Sequence, residues 1–528
     1  MLHRIFLSLL FLFLINSCLA QSTFQRQFKG GIQLEVLSEP IVQSGGFIIA
    51  GTTDSFALHG TDMYLIRLNE NGDTLWSKTY DHGQYDVCQA ECSTDDGGFL
   101  LAGRTEGITI NNSKALLIKT DSTGHMLWTK TYGGPSYETA IDVRQTKDSG
   151  FIIAAETHSY GAGNKDIFMI KTNSVGDTIW TKVLGGVEAE SVKSVCETSD
   201  DGYAITGVTF SFSNGSGKIF LVKMDRNGNV DWTKIYGGNN WDYGSSVLET
   251  PDRGFILTGI TYSTGAGVGD VIMIKTDSIG NRDWAKTYGG TNTEVGMNVK
   301  VCRDGGFIVL GQSISFSTAW NAFYLIRTDR YGDTLWTRAY GEDLKNIGTS
   351  VEETALGGFV LSGYRGYIGS NSSSYYLIQT DSDGFSGCAE RFTATQVMNS
   401  SLNGFTAPFV ITQASPQVLS IAMIEGSGSE DSTLCSIINS LPEFPNSSLE
   451  SLIISPNPSN EILTIEFIQP VTGEIDLHSL SGECVFHSSL IQTNKLTINT
   501  GTTLNGIFIL KVNDGNSIYC KKVCLIAD

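Results

Sequence analysis

Short runs of alternating apolar and polar positions fill most of the chain, and each run ends at Gly, Asp, Asn or Ser. Between residues 136 and 184 four such runs occur: TAIDVRQT, GFIIAAET, DIFMIKTN and TIWTKVL. Runs rich in β-branched and aromatic residues between turn residues are typical of β-strands, and the glycines in KDSG and NSVGD suit tight hairpin turns. The pattern therefore predicts four antiparallel strands in this stretch.

This four-run pattern recurs every 52 residues. Four-stranded units in series are the blades of a β-propeller. A tryptophan in the fourth run and an aromatic residue in the second run mark the repeat at Trp76, Trp128, Trp180, Trp232, Trp284 and Trp336, and at Phe47, Phe99, Phe151, Tyr203, Phe255, Phe307 and Phe359. We predict an all-β, seven-bladed propeller over residues 21–390.

The two ends of the repeat predict how the ring closes. The repeat has seven aromatic residues in the second run but only six tryptophans in the fourth run. One repeat upstream of the first tryptophan lies Phe24, in FQRQFKGG, which imitates WTKTYGG, whereas Cys388 lies one repeat downstream in a segment that does not. We therefore expect residues 23–29 to supply the outer strand of the seventh blade, beside the strand near residues 376–380, and so to remove an open sheet edge.

The phrases KTYGG, DGGF and LIKTD resemble the bacterial family of secreted seven-bladed propeller repeats over roughly residues 21–390. That resemblance implies a fold and no general activity. The repeat is also similar to the tryptophan-docking repeats of quinone-dependent dehydrogenases and to the Asp-box of sialidases. This chain lacks the adjacent cysteines of the first group and a recurring arginine cluster like that of the second, so neither activity is carried over.

Residues 1–20 have the form of a secretory signal, with His3 and Arg4 before an apolar run and Ala20 at the expected cleavage point. The alternative for this N-terminal segment is a lipoprotein signal with lipid attachment at Cys18. No later segment has the roughly 18 apolar residues that a membrane span needs. We expect a protein without a membrane span, and a monomer.

The period is lost after residue 390. Residues 391–450 are expected to form a spacer able to hold one β-hairpin, ending in the linker SLPEFPNSS. Residues 451–528 resemble the C-terminal sorting domain of the type IX secretion system, a small β-sandwich. The resemblance implies contact with that secretion machinery and a secreted or outer-surface location, and its motif residues are Pro456, Asn457, Pro458, Gly506, Lys521 and Lys522.

Net charge and cysteine spacing bear on which partners, metals and disulfides the chain can have. A formal charge of −20 argues against nucleic acid, since phosphate contacts need clustered Lys and Arg. Nine cysteines follow the signal, and none forms a metal-binding CxxC pair. Cys388 and Cys435 bracket the segment after the repeats, and a disulfide between them is as consistent with the sequence as two free thiols. The histidines form no catalytic or metal-ligating pattern, so no catalytic residue is assigned.

One face of a propeller carries the loops between second and third strands and between blades, and here these loops vary from repeat to repeat. Five of the inner strands begin with an acid on that face, at the same position of the repeat. The acids could hold a hard cation such as Ca²⁺, or could cap backbone N–H groups, which is the interpretation favoured here. Three aromatic residues precede them and suit a sugar or peptide; the candidate site is Asp86, Glu138, Glu190, Asp242 and Glu294 with Tyr85, Tyr137 and Trp241.

The sequence therefore favours a surface propeller that acts as a binding or adhesion scaffold for a glycan or a protein. The alternative is a polysaccharide hydrolase that uses paired carboxylates at the mouth of the central channel.

Overall fold

The computed structural model describes residues 23–29, 41–437 and 452–525, except for some short internal stretches. These are residues 44, 58–59, 83–84, 107–111, 214, 319, 342–343, 367–372, 388–389, 408, 413–416, 420–423, 427–429, 456–461, 480–483, 500–505 and 514–517. The chain divides into two compact units, residues 1–437 and 438–528. Every regular element in the described part is a β-strand, and no helix there is long and apolar enough to cross a membrane.

The first unit contains seven antiparallel four-stranded sheets, numbered here as blades in chain order, with the inner strand first. Strand β1 (Thr23–Lys29) precedes them. Blades 1 to 3 consist of β2 (Ile41–Gln43), β3 (Gly46–Thr53), β4 (Asp62–Leu68) and β5 (Thr74–Asp81); β6 (Tyr85–Ser93), β7 (Phe99–Glu106), β8 (Ser113–Thr120) and β9 (Met126–Gly133); and β10 (Glu138–Gln145), β11 (Phe151–Thr157), β12 (Asp166–Thr172) and β13 (Thr178–Gly185).

The remaining blades repeat this order. Blades 4 to 6 consist of β14 (Glu190–Glu197), β15 (Tyr203–Thr209), β16 (Lys218–Met224) and β17 (Val230–Gly237); β18 (Asp242–Glu249), β19 (Phe255–Thr261), β20 (Asp270–Thr276) and β21 (Arg282–Gly289); and β22 (Glu294–Val301), β23 (Phe307–Ser313), β24 (Ala322–Thr328) and β25 (Thr334–Tyr340). Blade 7 has only β26 (Lys345–Glu353), β27 (Phe359–Gly366) and β28 (Ser373–Thr380) from this part of the chain.

The predicted closure by the N-terminal strand is confirmed. Strand β1 pairs antiparallel with β28, with Phe24 opposite Gln379 and Phe28 opposite Tyr375, and becomes the fourth strand of blade 7. Buried apolar side chains form a shared core between each blade and the next, and the series returns from blade 7 to blade 1. The middle strands are buried on both faces for this reason, as every residue of β12 shows.

Each repeated tryptophan packs against the second-strand aromatic of the following blade. The ring centroids of Trp232 and Phe255 are 5.7 Å apart, and those of Trp336 and Phe359 are 5.8 Å apart. Phe24 takes the same place in blade 7, with its ring 6.1 Å from that of Phe47 in blade 1. The repeated phrase therefore builds the contacts between neighbouring blades.

A buried tyrosine on the fourth strand adds a hydrogen bond to most of these junctions. Its hydroxyl donates to the carbonyl of the glycine in the third-to-fourth turn of the next blade, as Tyr236 does to Gly280 O at 2.6 Å. Tyr80, Tyr132, Tyr288 and Tyr340 make the equivalent bond at 2.6 to 2.7 Å. Leu184 occupies this position in blade 3 and has no hydroxyl.

The expected spacer with a hairpin is wrong for residues 390–437, which we call the outer belt. The belt adds a fifth strand to every blade in reverse order, from blade 6 to blade 1 and then to blade 7. None of its described strands pairs with another belt strand, because each takes the open edge of a fourth strand instead. The strands are β29 (Glu390–Phe392), β30 (Gln396–Asn399), β31 (Asn403–Thr406), β32 (Val410–Thr412), β33 (Gln417–Leu419), β34 (Ile424–Gly426) and β35 (Glu430–Ile437).

The second unit is a small β-domain with its own core. Two long strands run through it, and the first half of β37 pairs with β36 while its second half pairs with β39. Nine buried apolar residues from both halves, including Ile465, Leu477 and Leu510, form one cluster. The strands are β36 (Leu452–Ser455), β37 (Ile462–Ser479), β38 (Cys484–Asn499), β39 (Gly506–Asn513) and β40 (Ile518–Leu525).

Candidate functional site

The two faces of the propeller differ in how strictly their turns require particular residue types. On one face, the turn between third and fourth strands is fixed by an Asp that accepts two backbone hydrogen bonds, as Asp121 does from Thr123 N at 2.8 Å and His125 N at 3.0 Å. Gly124 completes this turn with φ +77, and a Cβ there would lie 2.8 Å from the Trp76 ring of the preceding blade. We call this the constant face, because its geometry prescribes its residues.

The opposite face, called the variable face, carries the five predicted acids, and all five are completely buried. Glu190 is representative: it accepts hydrogen bonds from Gly186 N at 2.9 Å and from the Thr209 hydroxyl at 2.7 Å. Glu138, Asp242 and Glu294 accept equivalent bonds from the backbone N–H four residues earlier and from a hydroxyl on the second strand. These contacts are local caps, of the kind that the capping interpretation expects.

Burial also changes the acid–base behaviour of this region. Burial raises the pKa of Asp86 to about 6, although the backbone N–H of His82 donates to it at 2.6 Å. Burial likewise raises the pKa of Asp166 to about 6, and the charge of Glu190 adds to that shift. Asp270 shows the same direction of pKa change for the same reasons, beside Glu294. The variable face therefore contains carboxyls that resist ionisation.

The three predicted aromatic residues have different surroundings. Tyr85 and Trp241 are 46% and 43% exposed. Tyr137 is partly buried between the guanidinium of Arg104, 5.6 Å from its ring centroid, and the ring of His158, also at 5.6 Å. Only the first two therefore present a broad aromatic surface to solvent.

Trp241 belongs to a cluster that we call the aromatic platform, consisting of Phe210, Trp241 and Tyr243. The indole stacks on Tyr243 with a centroid distance of 5.8 Å and an interplanar angle of 18°, and Phe210 meets it edge-on at 5.5 Å. Trp241 and Tyr243 point the same way because they are two residues apart on an extended segment. Sequence analysis did not single out Phe210 or Tyr243, although both lie in or beside loops that differ between repeats.

Other apolar side chains are exposed in the loops of the same face. Val187 is 76% exposed, Val268 is 64% exposed and Trp320 is 54% exposed. Sequence analysis identified the loops of Val268 and Trp320 as variable but did not identify these side chains. The constant face also has exposed apolar side chains, including Val175, Ile279 and Tyr331, so exposure alone does not distinguish the two faces.

An open groove lies on the constant face between blades 3 and 4, with a volume of about 390 Å³. Trp180 and Tyr203 form its floor, and the Lys147–Asp201 ion pair, with an N–O distance of 2.7 Å, lies along its wall. The Trp180 indole N–H donates to Arg226 O at 3.2 Å and is therefore already committed within the propeller. This groove results from the interblade packing that every junction shares.

The remaining predicted residues are the two cysteines of the possible disulfide and the motif residues of the sorting domain. Cys388 lies outside the described residues, so the Cys388–Cys435 pair cannot be placed, while the backbone of Cys435 lies in β35 opposite Gln25. Pro456, Asn457 and Pro458 also lie outside them. Gly506 begins β39, and Lys521 and Lys522 lie in β40 opposite Leu510 and Ile509. Cys88, Cys92, Cys196 and Cys302 are free thiols.

Comparison with known families identifies the second unit. The family described as "Secretion system C-terminal sorting domain" matches residues 454–526, which include β37 to β40. The chain carries a type IX secretion sorting domain. This domain marks the protein for secretion through that system, with attachment to the outer cell surface or release, and implies contact with the secretion machinery.

No curated protein was found to match the chain. Among solved structures, the extracellular domain of a hybrid two-component system from B. thetaiotaomicron shares 9% identity over 88% of this chain, with a TM-score of 0.25. The match spans 60% of that protein's own length. A structure described as the eukaryotic initiation factor shares 10% identity over 61% of this chain and 96% of its own, with a TM-score of 0.27.

Proposed function

We propose that this protein is an exported, non-catalytic binding propeller whose variable face recognises a glycan. The observation that carries the proposal is the exposed indole of Trp241, held flat by stacking on Tyr243. A rigid aromatic ring loses little conformational entropy on binding and offers a large flat contact area. The apolar C–H face of a sugar ring is complementary to such a surface.

Polar groups beside the aromatic platform are suited to sugar hydroxyls. Asn239 and Asn240 are exposed directly before Trp241. The side-chain N–H of Asn240 donates to Tyr262 O at 2.9 Å, which fixes the amide and leaves its oxygen as an acceptor at the edge of the platform. Aromatic anchors with a few oriented polar groups are the usual composition of a small-ligand site.

The formal charge of −20 favours a neutral or cationic ligand over a polyanion. The polysaccharide hydrolase considered above would need carboxylates that reach a substrate. Complete burial of Glu138, Glu190, Asp242 and Glu294 weighs against those residues in that role, because each is engaged within its own blade junction.

The test compares glycan-array binding of the full chain with that of two variants. Trp241→Ala should weaken binding of the retained glycans at least about tenfold, equivalent to ~1.4 kcal/mol. Tyr331→Ala is the matched control, since Tyr331 is an aromatic residue 58% exposed on the constant face. It should bind as the wild type does.

A reducing-sugar assay on the same glycans should show no release. Sugar release would support the hydrolase alternative, and binding that survives Trp241→Ala would contradict the platform. Binding of a protein but of no glycan, lost in the same variant, would assign the site to a protein partner instead.

A further inference from the structure

Three buried carboxylates meet where blade 1 joins blade 2. Asp62 begins β4, Asp81 ends β5 and Asp86 lies at the start of β6. Their exposed fractions are 1%, 5% and 0%, and one oxygen from each lies within 4.8 Å of the others. The backbone fixes this approach, because the N–H of Asp86 donates to Thr61 O at 2.7 Å.

At two other blade junctions, the position equivalent to Asp62 holds a lysine. At the next junction, Lys114 takes the place of Asp62, and its ammonium lies 3.6 Å from the Glu138 carboxylate. Two junctions further on, Lys218 lies 3.7 Å from Asp242 in the same arrangement. The propeller thus places a cation beside the acid that begins the inner strand at two equivalent positions.

The junctions without a lysine hold fewer acids than the first. Asp166 faces Glu190, and Asp270 faces Glu294, so each of these junctions has two carboxyls, and one shared proton can relieve their repulsion. The junction between blades 6 and 7 has Ala322 and Asn346 and carries no acid in these positions. Three acids at the first junction would need two protons or a multivalent cation.

Asp81 is the residue that sets the first junction apart. The five equivalent positions further along the chain are Gly133, Gly185, Gly237, Gly289 and Gly341. At Gly185 an added Cβ would overlap Asp166 Oδ1, and at Gly289 it would overlap Asp270 Oδ1. The first junction therefore admits a third side chain, and that side chain is a carboxylate aimed at the other two.

Asp86 provides an independent sign of a missing partner. Its Oδ2 accepts from His82 N at 2.6 Å, but its Oδ1 is buried and accepts no hydrogen bond from any described residue. The nearby Thr105 hydroxyl lowers the pKa of Asp86, but it forms no hydrogen bond with Oδ1. In the four other acids at this repeat position, Glu138, Glu190, Asp242 and Glu294, the equivalent oxygen accepts a hydrogen bond from a hydroxyl on the second strand. A buried carboxylate oxygen without a donor is costly unless a cation faces it.

We propose that Asp62, Asp81 and Asp86 bind one calcium ion that takes the place of the lysine ammonium found at the second and fourth junctions. The three ligands are carboxylate oxygens, without sulfur or imidazole in the set, and such oxygens select hard cations. Calcium accepts irregular oxygen geometry and completes its shell with carbonyls and water. His82 lies beside the cluster and its charge lowers the pKa of Asp86, but its side chain is exposed and solvent screens that charge.

The test uses the full chain stripped with a chelator and titrated with Ca²⁺ alone, by calorimetry and by thermal unfolding. One site should be saturable, and Ca²⁺ should raise the unfolding midpoint. Asp81→Gly restores the residue found at the other junctions and should weaken binding at that site at least tenfold. Asp201→Asn, an exposed acid on the constant face, should bind like the wild type.

The stability of Asp81→Gly gives a second readout that a purely structural Asp81 would not. Without Ca²⁺ the variant should be more stable than the wild type, because one repelling charge has gone. With saturating Ca²⁺ the order should reverse. The proposal is overturned if Asp81→Gly keeps the wild-type affinity and stoichiometry, if the order does not reverse, or if Mg²⁺ binds where Ca²⁺ does not.

Discussion

Removing one tyrosine hydroxyl between blades should measure how strongly the ring is held together. Tyr236 is completely buried, and its hydroxyl donates to Gly280 O across the junction of blades 4 and 5 at 2.6 Å. Tyr236→Phe keeps the ring and its packing but removes this donor. The carbonyl of Gly280 then loses a partner in a place where water does not easily replace it.

The expected loss follows from that geometry. A buried acceptor left without its donor costs about 1–3 kcal/mol of unfolding free energy, whereas an exposed one costs almost nothing. Burial raises the pKa of Tyr236 above its usual range, so the hydroxyl keeps its proton in ordinary buffers and the bond does not depend on pH. Leu184 at the corresponding position of blade 3 shows that one junction can form without this bond.

Urea unfolding followed by tryptophan fluorescence is the appropriate assay. All eight tryptophans lie between residues 76 and 336, so the signal reports the propeller alone. Tyr331→Phe is the matched control, because Tyr331 is 58% exposed, and it should leave the unfolding free energy unchanged. A loss below about 0.3 kcal/mol for Tyr236→Phe, or an equal loss for Tyr331→Phe, would refute the reasoning.

Two further changes test the buried acids and the outer belt. The pKa of Asp166, about 6, lies above its unfolded value, so the native state keeps a proton that the unfolded state releases, and stability should fall as pH rises from about 4 to 6. Asp166→Asn should reduce this fall, to which Asp86 and Asp270 also contribute, and should gain about 1–3 kcal/mol at pH 8 in urea unfolding. Exposed Asp283→Asn should do neither, and an unchanged pH profile for Asp166→Asn would contradict the assignment. Phe409→Ala should cost about 3 kcal/mol in the same assay, because Phe409 is 8% exposed and packs on Phe212 at 5.2 Å; exposed Met398→Ala is its control, and equal effects would contradict anchoring of the belt by Phe409.

The blades could be predicted from sequence because their contacts repeat. A turn glycine at positive φ, a tryptophan over the next blade and a buried second strand each demand a residue type, so a fixed interval of 52 residues exposes them together. Phe24 was recognisable for the same reason, since it fills the tryptophan position of blade 7.

The outer belt could not be predicted in the same way. Its strands have three to eight residues and pair mainly through their backbones, which demand no particular side chain. A weak signal was present: Thr395, Leu402 and Phe409 are seven residues apart, and the first bonds Tyr324 while the other two are buried against successive blades. Seven residues is the length of belt that spans one blade.

The candidate site was predictable in position but not in chemistry. The five acids and Trp241 could be found from the repeat of 52 residues. The solvent exposure of their side chains could not, because it depends on neighbours from other strands. Glu190 is buried because Thr209 and Gly186 surround it, whereas Trp241 is exposed because Tyr243 supports it from below. Asp81 replaces a glycine visibly in the sequence, but its importance requires Asp62 and Asp86 to be seen beside it.

A crystal structure of the full chain with a glycan selected on the array tests the proposed function most directly. We predict a sugar ring stacked on the indole of Trp241, with its hydroxyls near Asn240 and all its glycosidic bonds intact. A sugar bound in the constant-face groove beside Trp180, or a glycan cleaved next to the buried acids, would contradict the proposal.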